Sequence, residues 1–210
     1  MRKAKIDLHC LLEELRRLYP DAKYELDWQT PFQLLIATIL AAQCTDERVN
    51  RVTATLFQKY PDPAAFAAAD TEELEAALQP TGFFRQKTKT VKAVCQALLD
   101  RFDGKVPARM EDLVSLPGVA RKTANVVLTT AHKIPAGIIV DTHVRRVSQR
   151  MGLCTAEDAE EIEQELMQIV PQAQWCFLGP ALVLHGRHTC TARKPDCAGC
   201  ALREVCPQKL

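Results

Sequence analysis

Apolar residues recur at helical spacing along nearly the whole chain. Leu8, Leu11, Leu12, Leu15 and Leu18 fall three or four apart and predict an amphipathic helix that Pro20 closes. Thr30-Pro31 has the form of an N-cap with proline at the first helical position. The segment behind it, Leu34 to Ala42, is apolar on every face, which predicts a helix central to a core. Thr45-Asp46 opens a stripe of Val49, Val52, Leu56 and Tyr60. Asp70 with Glu73 reads as a capping box ahead of Leu74, Ala77 and Leu78. Val91, Val94, Ala97 and Leu98 predict a helix ended by Gly104 and Pro107, and Ile162, Leu166, Ile169 and Val170 stripe an acidic one.

The one β-like run, Ile134 to Val140, is interrupted by proline and glycine, and its alternation is too irregular for a strand. The pattern therefore predicts an all-α chain of many short helices, with no internal repeat, low-complexity tract or flexible linker. Lys133-Ile-Pro-Ala-Gly137 breaks the helical pattern and places a domain boundary near residue 135.

Composition changes this picture little: 210 residues, 47% hydrophobic and 25% charged, are enough to bury a core as one large domain or two small ones. The basic segment Met1-Arg-Lys-Ala-Lys5 is not followed by an apolar run, which argues against a secretory signal, and Leu34 to Ala42 is too short to cross a bilayer. The expectation is a cytoplasmic, membrane-free protein. Charge is more informative by position than in total. The net charge is +1, yet between Leu116 and Arg150 the basic residues are Arg121, Lys122, Lys133, Arg145, Arg146 and Arg150, against Asp141 as the only acid. Acids gather instead at Glu157, Asp158, Glu160, Glu161, Glu163 and Glu165. Either two solvated helix faces or one basic nucleic-acid face fits this distribution.

Nine cysteines are many for a reducing compartment, where they should not form disulfides. Cys10, Cys44, Cys95, Cys154 and Cys176 are scattered and read as small buried hydrophobes. Cys190, Cys197, Cys200 and Cys206 fall within 17 residues as Cys-x6-Cys-x2-Cys-x5-Cys. Four thiolates in one loop make a soft, closed site for zinc or an iron–sulfur cluster. The spacing differs from the common ferredoxin runs.

Two further segments carry possible chemistry. Asp112 to Leu128 reads as two helices joined by the tight turn Leu116-Pro-Gly-Val-Ala-Arg121. The second helix then presents unpaired N–H groups and a positive dipole end, a ready site for phosphate. Lys122 sits at that helix mouth beside Arg121, where neighbouring positive charge favours the neutral amine, the form that attacks carbon. Asp141 stands where an N-cap belongs, ahead of a helix striped by Val144, Val147 and Met151.

The wording of these segments resembles the endonuclease III family of DNA glycosylases. That family's helix-hairpin-helix reads Leu-Pro-Gly-Val-Gly-x-Lys-Thr-Ala, and Ala120 replaces the second hairpin glycine here. Its Val-Asp-Thr-His segment is matched by Val140 to His143, and its 4Fe–4S loop by the four C-terminal cysteines. The resemblance implies two domains: a helical barrel over residues 24–134, and a cluster domain joining residues 1–23 to 135–210. It implies that Lys122 attacks C1′ of a damaged nucleoside, that a Schiff base forms, and that β-elimination cuts the strand. Asp141 would stabilise the oxocarbenium-like charge. Phosphates would be gripped by Gly118, Ala120 and Arg121 of the hairpin, by His143, and by Arg193 and Lys194 on the cluster loop. Gln43 and Phe83 would enter the duplex when the base leaves the stack; a leucine is expected where Phe83 stands. An alanine at 120 would be strained if that position needed positive φ.

The implied activity is removal of oxidised pyrimidines with AP lyase strand cleavage, by a monomer acting on double-stranded DNA that holds damaged bases or abasic sites. Lysine at 122 and the stop soon after Cys206 favour this bifunctional type over a monofunctional glycosylase. A non-catalytic DNA-binding module, with Lys122 merely basic, is the rival from another class.

Overall fold

The structure, a computed structural model, describes residues 6–208; the basic segment 1–5 and its bearing on a leader lie outside those residues. All regular structure among them is helical. In chain order the α-helices are α1 (Leu8–Leu18), α2 (Pro31–Leu40), α3 (Asp46–Lys59), α4 (Pro63–Ala68), α5 (Thr71–Leu78), α6 (Phe84–Phe102), α7 (Met110–Val114), α8 (Arg121–Thr130), α9 (Thr142–Arg150), α10 (Ala159–Ile169) and α11 (Trp175–His188). The run 134–140 forms no strand. No described helix is long and apolar enough to cross a membrane.

Side chains start these helices as the sequence pattern predicts. Thr30 Oγ1 accepts from the Gln33 N–H at 3.2 Å, and Thr45 Oγ1 from the Arg48 N–H at 3.4 Å. Asp70 caps α5 by accepting from the Glu73 N–H at 2.9 Å, but the reciprocal half of the capping box is absent. The Glu73 carboxylate turns instead to the Lys59 ammonium and to the Tyr60 hydroxyl at 3.2 Å, tying the start of α5 to the end of α3. An ammonium within reach outcompetes a backbone N–H for a carboxylate.

The chain divides into two compact units. Glu25–Ala136 forms one, carrying α2 to α8; Tyr24 and the described residues before it join Gly137 onward in the other, carrying α1 and α9 to α11. In the first unit α2 is central. Phe32, Leu34, Leu35, Ile36, Ala37, Ile39 and Leu40 are all buried, and α3, α6 and α8 pack around the helix. Each such leucine or isoleucine contributes roughly 1.5–3 kcal/mol by leaving water. Phe66 is fully buried and meets the Phe32 ring edge-on at 5.7 Å between centroids.

In the second unit Leu11 and Leu15 of α1 share a core with Val144 and Val147 of α9, Ile162 and Leu166 of α10, and Leu178 and Leu182 of α11. The hydrophobic pattern did not predict α11. Gly179, Pro180 and Gly186 lie inside it and look like breakers, yet nine of its residues are buried. A Cβ on Gly179 would stand 2.8 Å from the Tyr24 hydroxyl and 3.3 Å from the Ile139 carbonyl, so glycine here permits close packing.

Two expectations are corrected. Cys176 is exposed, and Cys10 and Cys44 are only partly buried, so of the scattered cysteines just Cys95 and Cys154 are core residues. Burial pushes the Cys95 thiol up to about 12. The acidic face of α10 is not wholly solvated, because Glu163 turns inward and is buried. Phe83, expected to enter the duplex, is 67% exposed, and Phe84 beside it is partly buried.

Candidate active site

The hairpin is built by α7 and α8 with a turn over residues 115–120. Leu116 and Val119 are buried beneath it, and the Val119 N–H donates to the Leu116 carbonyl at 3.2 Å. Gly118 has φ +71°, and a Cβ there would stand 2.7 Å from Thr90 Cγ2. Glycine is thus required on two counts, backbone conformation and space. Ala120 has φ −79° and ψ 163°, an extended conformation open to any residue. The strain anticipated at this position does not arise, because the left-handed residue of the turn is Gly118. Ala120 is the N-cap of α8 and offers no side-chain acceptor, so no side chain caps the first turn of α8. An anion is the natural partner for such a helix start. Arg121 and Lys122 are the first two residues of α8, with Lys122 exposed.

Asp141 is the N-cap of α9: its Oδ1 accepts from the His143 and Val144 N–H groups, each at 2.8 Å. Among the described residues its second oxygen takes no hydrogen bond. Tyr24 belongs to the same unit, and burial first, then the charges of Asp141 and Cys176, hold its phenol well above the ordinary range. Its hydroxyl is buried and finds no hydrogen-bond partner among the described residues. Further along α9, Arg146 sends Nη2 to the Gly186 carbonyl at 2.8 Å and to the Cys190 carbonyl at 3.1 Å, and reaches His143 Nδ1 at 3.2 Å.

Four non-glycine residues in the other unit lie in the left-handed region, Gln43, Phe83, Asp103 and Lys133. Gln43 has φ 55° and Phe83 has φ 47°, and both side chains are exposed. That conformation costs an L-residue roughly 1–2 kcal/mol, and strain of this kind gathers at functional positions.

The four C-terminal cysteines, all partly buried, line one cavity. Burial pushes the Cys200 thiol up, a backbone N–H at Leu202 opposes this, and the charges of Cys206, Cys190 and Cys197 add to the rise. The four sulfurs thus feel one another. Among the described residues no three His, Cys, Asp or Glu side chains converge as ligands of a single metal ion. Arg150 fixes the loop's start, donating to the Thr191 and Ala192 carbonyls at 2.8 and 2.9 Å and to Cys190 Sγ at 3.5 Å. His185 Nε2 lies 3.8 Å from Cys200 Sγ and Nδ1 lies 3.1 Å from the Tyr19 hydroxyl; burial lowers the imidazole to about 4. Arg193 and Lys194 are exposed on the loop between the first two cysteines.

The structure thus gathers Gln43, Phe83, Gly118, Ala120, Arg121 and Lys122 in the unit Glu25–Ala136, and Asp141, His143, Arg193, Lys194 and the four cysteines in the other. Sequence reasoning missed the supporting arginines Arg146 and Arg150. Their spacing on α9 was the signal, but it read as surface charge.

Comparison with known proteins places these features. The family model of the HhH-GPD superfamily of base excision DNA repair proteins matches residues 36–172. Endonuclease III of Synechocystis sp. is 55% identical over 193 residues, covering 92% of this chain and 88% of the relative. Endonuclease III of Bacillus subtilis is 43% identical, covering 93% and 89%, and that of Escherichia coli K12 is 39% identical, covering 95% and 94%. Among solved structures, a non-covalent Endonuclease III–DNA complex superposes with a TM-score of 0.89 at 43% identity, covering 95% of this chain and 93% of that one. A trapped Endonuclease III–DNA covalent intermediate does so with a TM-score of 0.89 at 42% identity and the same coverage.

Proposed function

Because the chain belongs to the endonuclease III family of the HhH-GPD superfamily of base excision DNA repair proteins, we propose that Lys122 is its nucleophile and Asp141 the carboxylate that supports it. The protein is a DNA glycosylase with an associated AP lyase activity. What carries the assignment is the placement of Lys122, exposed in the first turn of a helix whose start no side chain caps. A phosphate bound at that helix start brings the sugar within reach of the amine.

In this reading the Lys122 amine forms a bond to C1′ as the bond from C1′ to the base breaks, and the base leaves with the electron pair. Positive charge builds on the sugar during this exchange, and Asp141 stabilises it; the carboxylate oxygen not engaged in capping α9 is the one available. Loss of a proton from the amine and opening of the sugar give a Schiff base. Removal of a C2′ proton then expels the 3′ phosphate oxygen and cuts the strand. Oxidised pyrimidines are the proposed substrates. Gly118, Ala120 and Arg121 hold phosphate from the hairpin, with His143, Arg193 and Lys194 contacting the strand from the other unit. Gln43 and Phe83 enter the duplex in place of the extruded nucleotide.

The donor set of Cys190, Cys197, Cys200 and Cys206, four soft thiols lining one cavity, fits a 4Fe–4S cluster. When bound, the cluster supplies four metal–thiolate bonds that stiffen the loop. Arg150 lies against Cys190 Sγ and His185 against Cys200 Sγ, and with a cluster bound Arg193 and Lys194 would stand on a rigid support.

Borohydride trapping on a duplex with one thymine glycol tests the assignment, with wild type beside Lys122→Gln. A reduced covalent complex with wild type alone is expected. An adduct formed equally by the variant removes Lys122 as nucleophile. No adduct from wild type, on this duplex or on a plain abasic site, removes the Schiff base.

A further inference from the structure

Lys87 has no part in the chemistry above, yet it is one of the most deeply placed charged groups in the molecule. It is 5% exposed, and its ammonium donates to the Leu40 carbonyl at 2.8 Å and to the Thr81 carbonyl at 2.7 Å. Among the described residues no carboxylate pairs with it. A buried cation without a counter-charge carries a desolvation penalty that an apolar chain of equal length would not. Burial accordingly lowers its pKa, with the Cys44 thiol opposing that weakly.

What the ammonium adds is a link between two turns far apart in sequence. Leu40 ends α2 three residues before Gln43, and Thr81 lies two residues before Phe83. The Lys87 backbone N–H also donates to the Phe83 carbonyl at 3.0 Å, so side chain and main chain together bracket the Phe83 turn. Both turns carry a left-handed non-glycine residue at the tip, φ 55° at Gln43 and 47° at Phe83, and such conformations persist only where surrounding contacts impose them. The carbonyls before each tip are held by one group.

The geometry points to Lys87 as a positioning residue that locks the Gln43 and Phe83 turns together, so that the two residues enter the duplex as one rigid pair. This rests on the reading that Gln43 and Phe83 are inserted. Insertion matters only while a base is being extracted from a duplex; cleavage at an abasic site in a single strand needs no wedge.

The test uses the full chain carrying its cluster, as wild type, Lys87→Met, Phe83→Ala, Gln43→Ala and the Lys87→Met/Phe83→Ala double variant. For each, single-turnover removal of thymine glycol from a duplex is divided by the rate of cleavage at an abasic site in a single strand. Lys87→Met is expected to lower this ratio roughly ten- to hundredfold, the scale on which small misplacements act. The double variant should then lose less than the product of the two single losses, because Lys87 acts in part through that turn. A ratio unchanged in Lys87→Met, both rates falling together, or fully multiplicative losses in the double variant would each overturn the proposal. If Phe83→Ala and Gln43→Ala both keep the wild-type ratio, the insertion reading fails on its own, whatever Lys87→Met does. Should Lys87→Met not yield folded protein, Lys87→Gln, whose amide keeps two donors on a shorter chain, takes its place: a lowered ratio supports the proposal and an unchanged one overturns it.

Discussion

Replacing Gly118 with alanine separates two costs that the hairpin turn combines. The new Cβ would have to adopt φ +71°, which costs an L-residue roughly 1–2 kcal/mol. It would also stand 2.7 Å from Thr90 Cγ2, an overlap that forces side chain or backbone to shift and adds about 1–3 kcal/mol. At about 2–4 °C per kcal/mol for a chain of this size, the combined cost of about 2–5 kcal/mol should lower the Tm of Gly118→Ala by roughly 4–20 °C. Thr90→Ser removes the offending methyl and leaves Oγ1, which the Cβ would approach only at 3.5 Å. In the Gly118→Ala background it should return the steric share and leave the backbone share. Thermal unfolding followed by circular dichroism, on wild type, both single variants and the double variant, reads the two shares directly. If Gly118→Ala melts with wild type, the turn does not require glycine. If Thr90→Ser recovers nothing, the backbone alone sets the requirement.

Asp141→Asn keeps a side-chain oxygen to cap α9 and should cost only a few tenths of a kcal/mol in stability, while single-turnover excision falls roughly a hundredfold or more; a variant that turns over like wild type would free Asp141 of its electrostatic role. Arg150→Met removes the donors to Cys190 Sγ and to the Thr191 and Ala192 carbonyls, so visible absorbance of the proposed cluster should bleach faster under an iron chelator; equal bleaching would show that this clamp is dispensable. Lys87 gives a pH signature. Its folded-state pKa is depressed, so between that value and the unfolded one the unfolded chain binds more protons, and its contribution to stability rises with pH across that alkaline window. The stability of Lys87→Met minus that of wild type should therefore fall as pH climbs toward about 10.4; a difference flat with pH would contradict the burial of the charge. Tyr24 works in the opposite sense, losing stability as pH rises past its unfolded value, which is why the comparison must be made between variant and wild type.

Amphipathic stripes made α1, α3, α5, α6 and α10 legible, and unbroken apolarity made α2 legible as the central helix. Those signals are local, set by the neighbours three and four residues along one face. α11 was illegible for the same reason: its glycines and proline weaken a helix in isolation, while their value lies in what packs against them, such as Tyr24 and Ile139 at Gly179. The capping box at Asp70 was half legible, because the pattern could not show that Lys59 would claim Glu73. Asp141 was read correctly as a cap from its position alone. Lys87 reads in sequence as a surface charge on α6, and nothing within a helical turn of it reveals two carbonyls separated by 41 positions.

The division of the chain into one continuous unit and one assembled from both ends sets the order in which it matures. Glu25–Ala136 can close as soon as it leaves the ribosome. α1 cannot, because the partners of Leu11 and Leu15 on α11 are made about 170 residues later, a delay of roughly 10–30 s at ordinary rates of synthesis. For that interval an amphipathic helix waits with its leucines unburied, exposed to chaperones and to its own neighbours on the polysome. The cysteine loop follows the helices of both units in the chain, so whatever metal it takes is delivered after those helices are made.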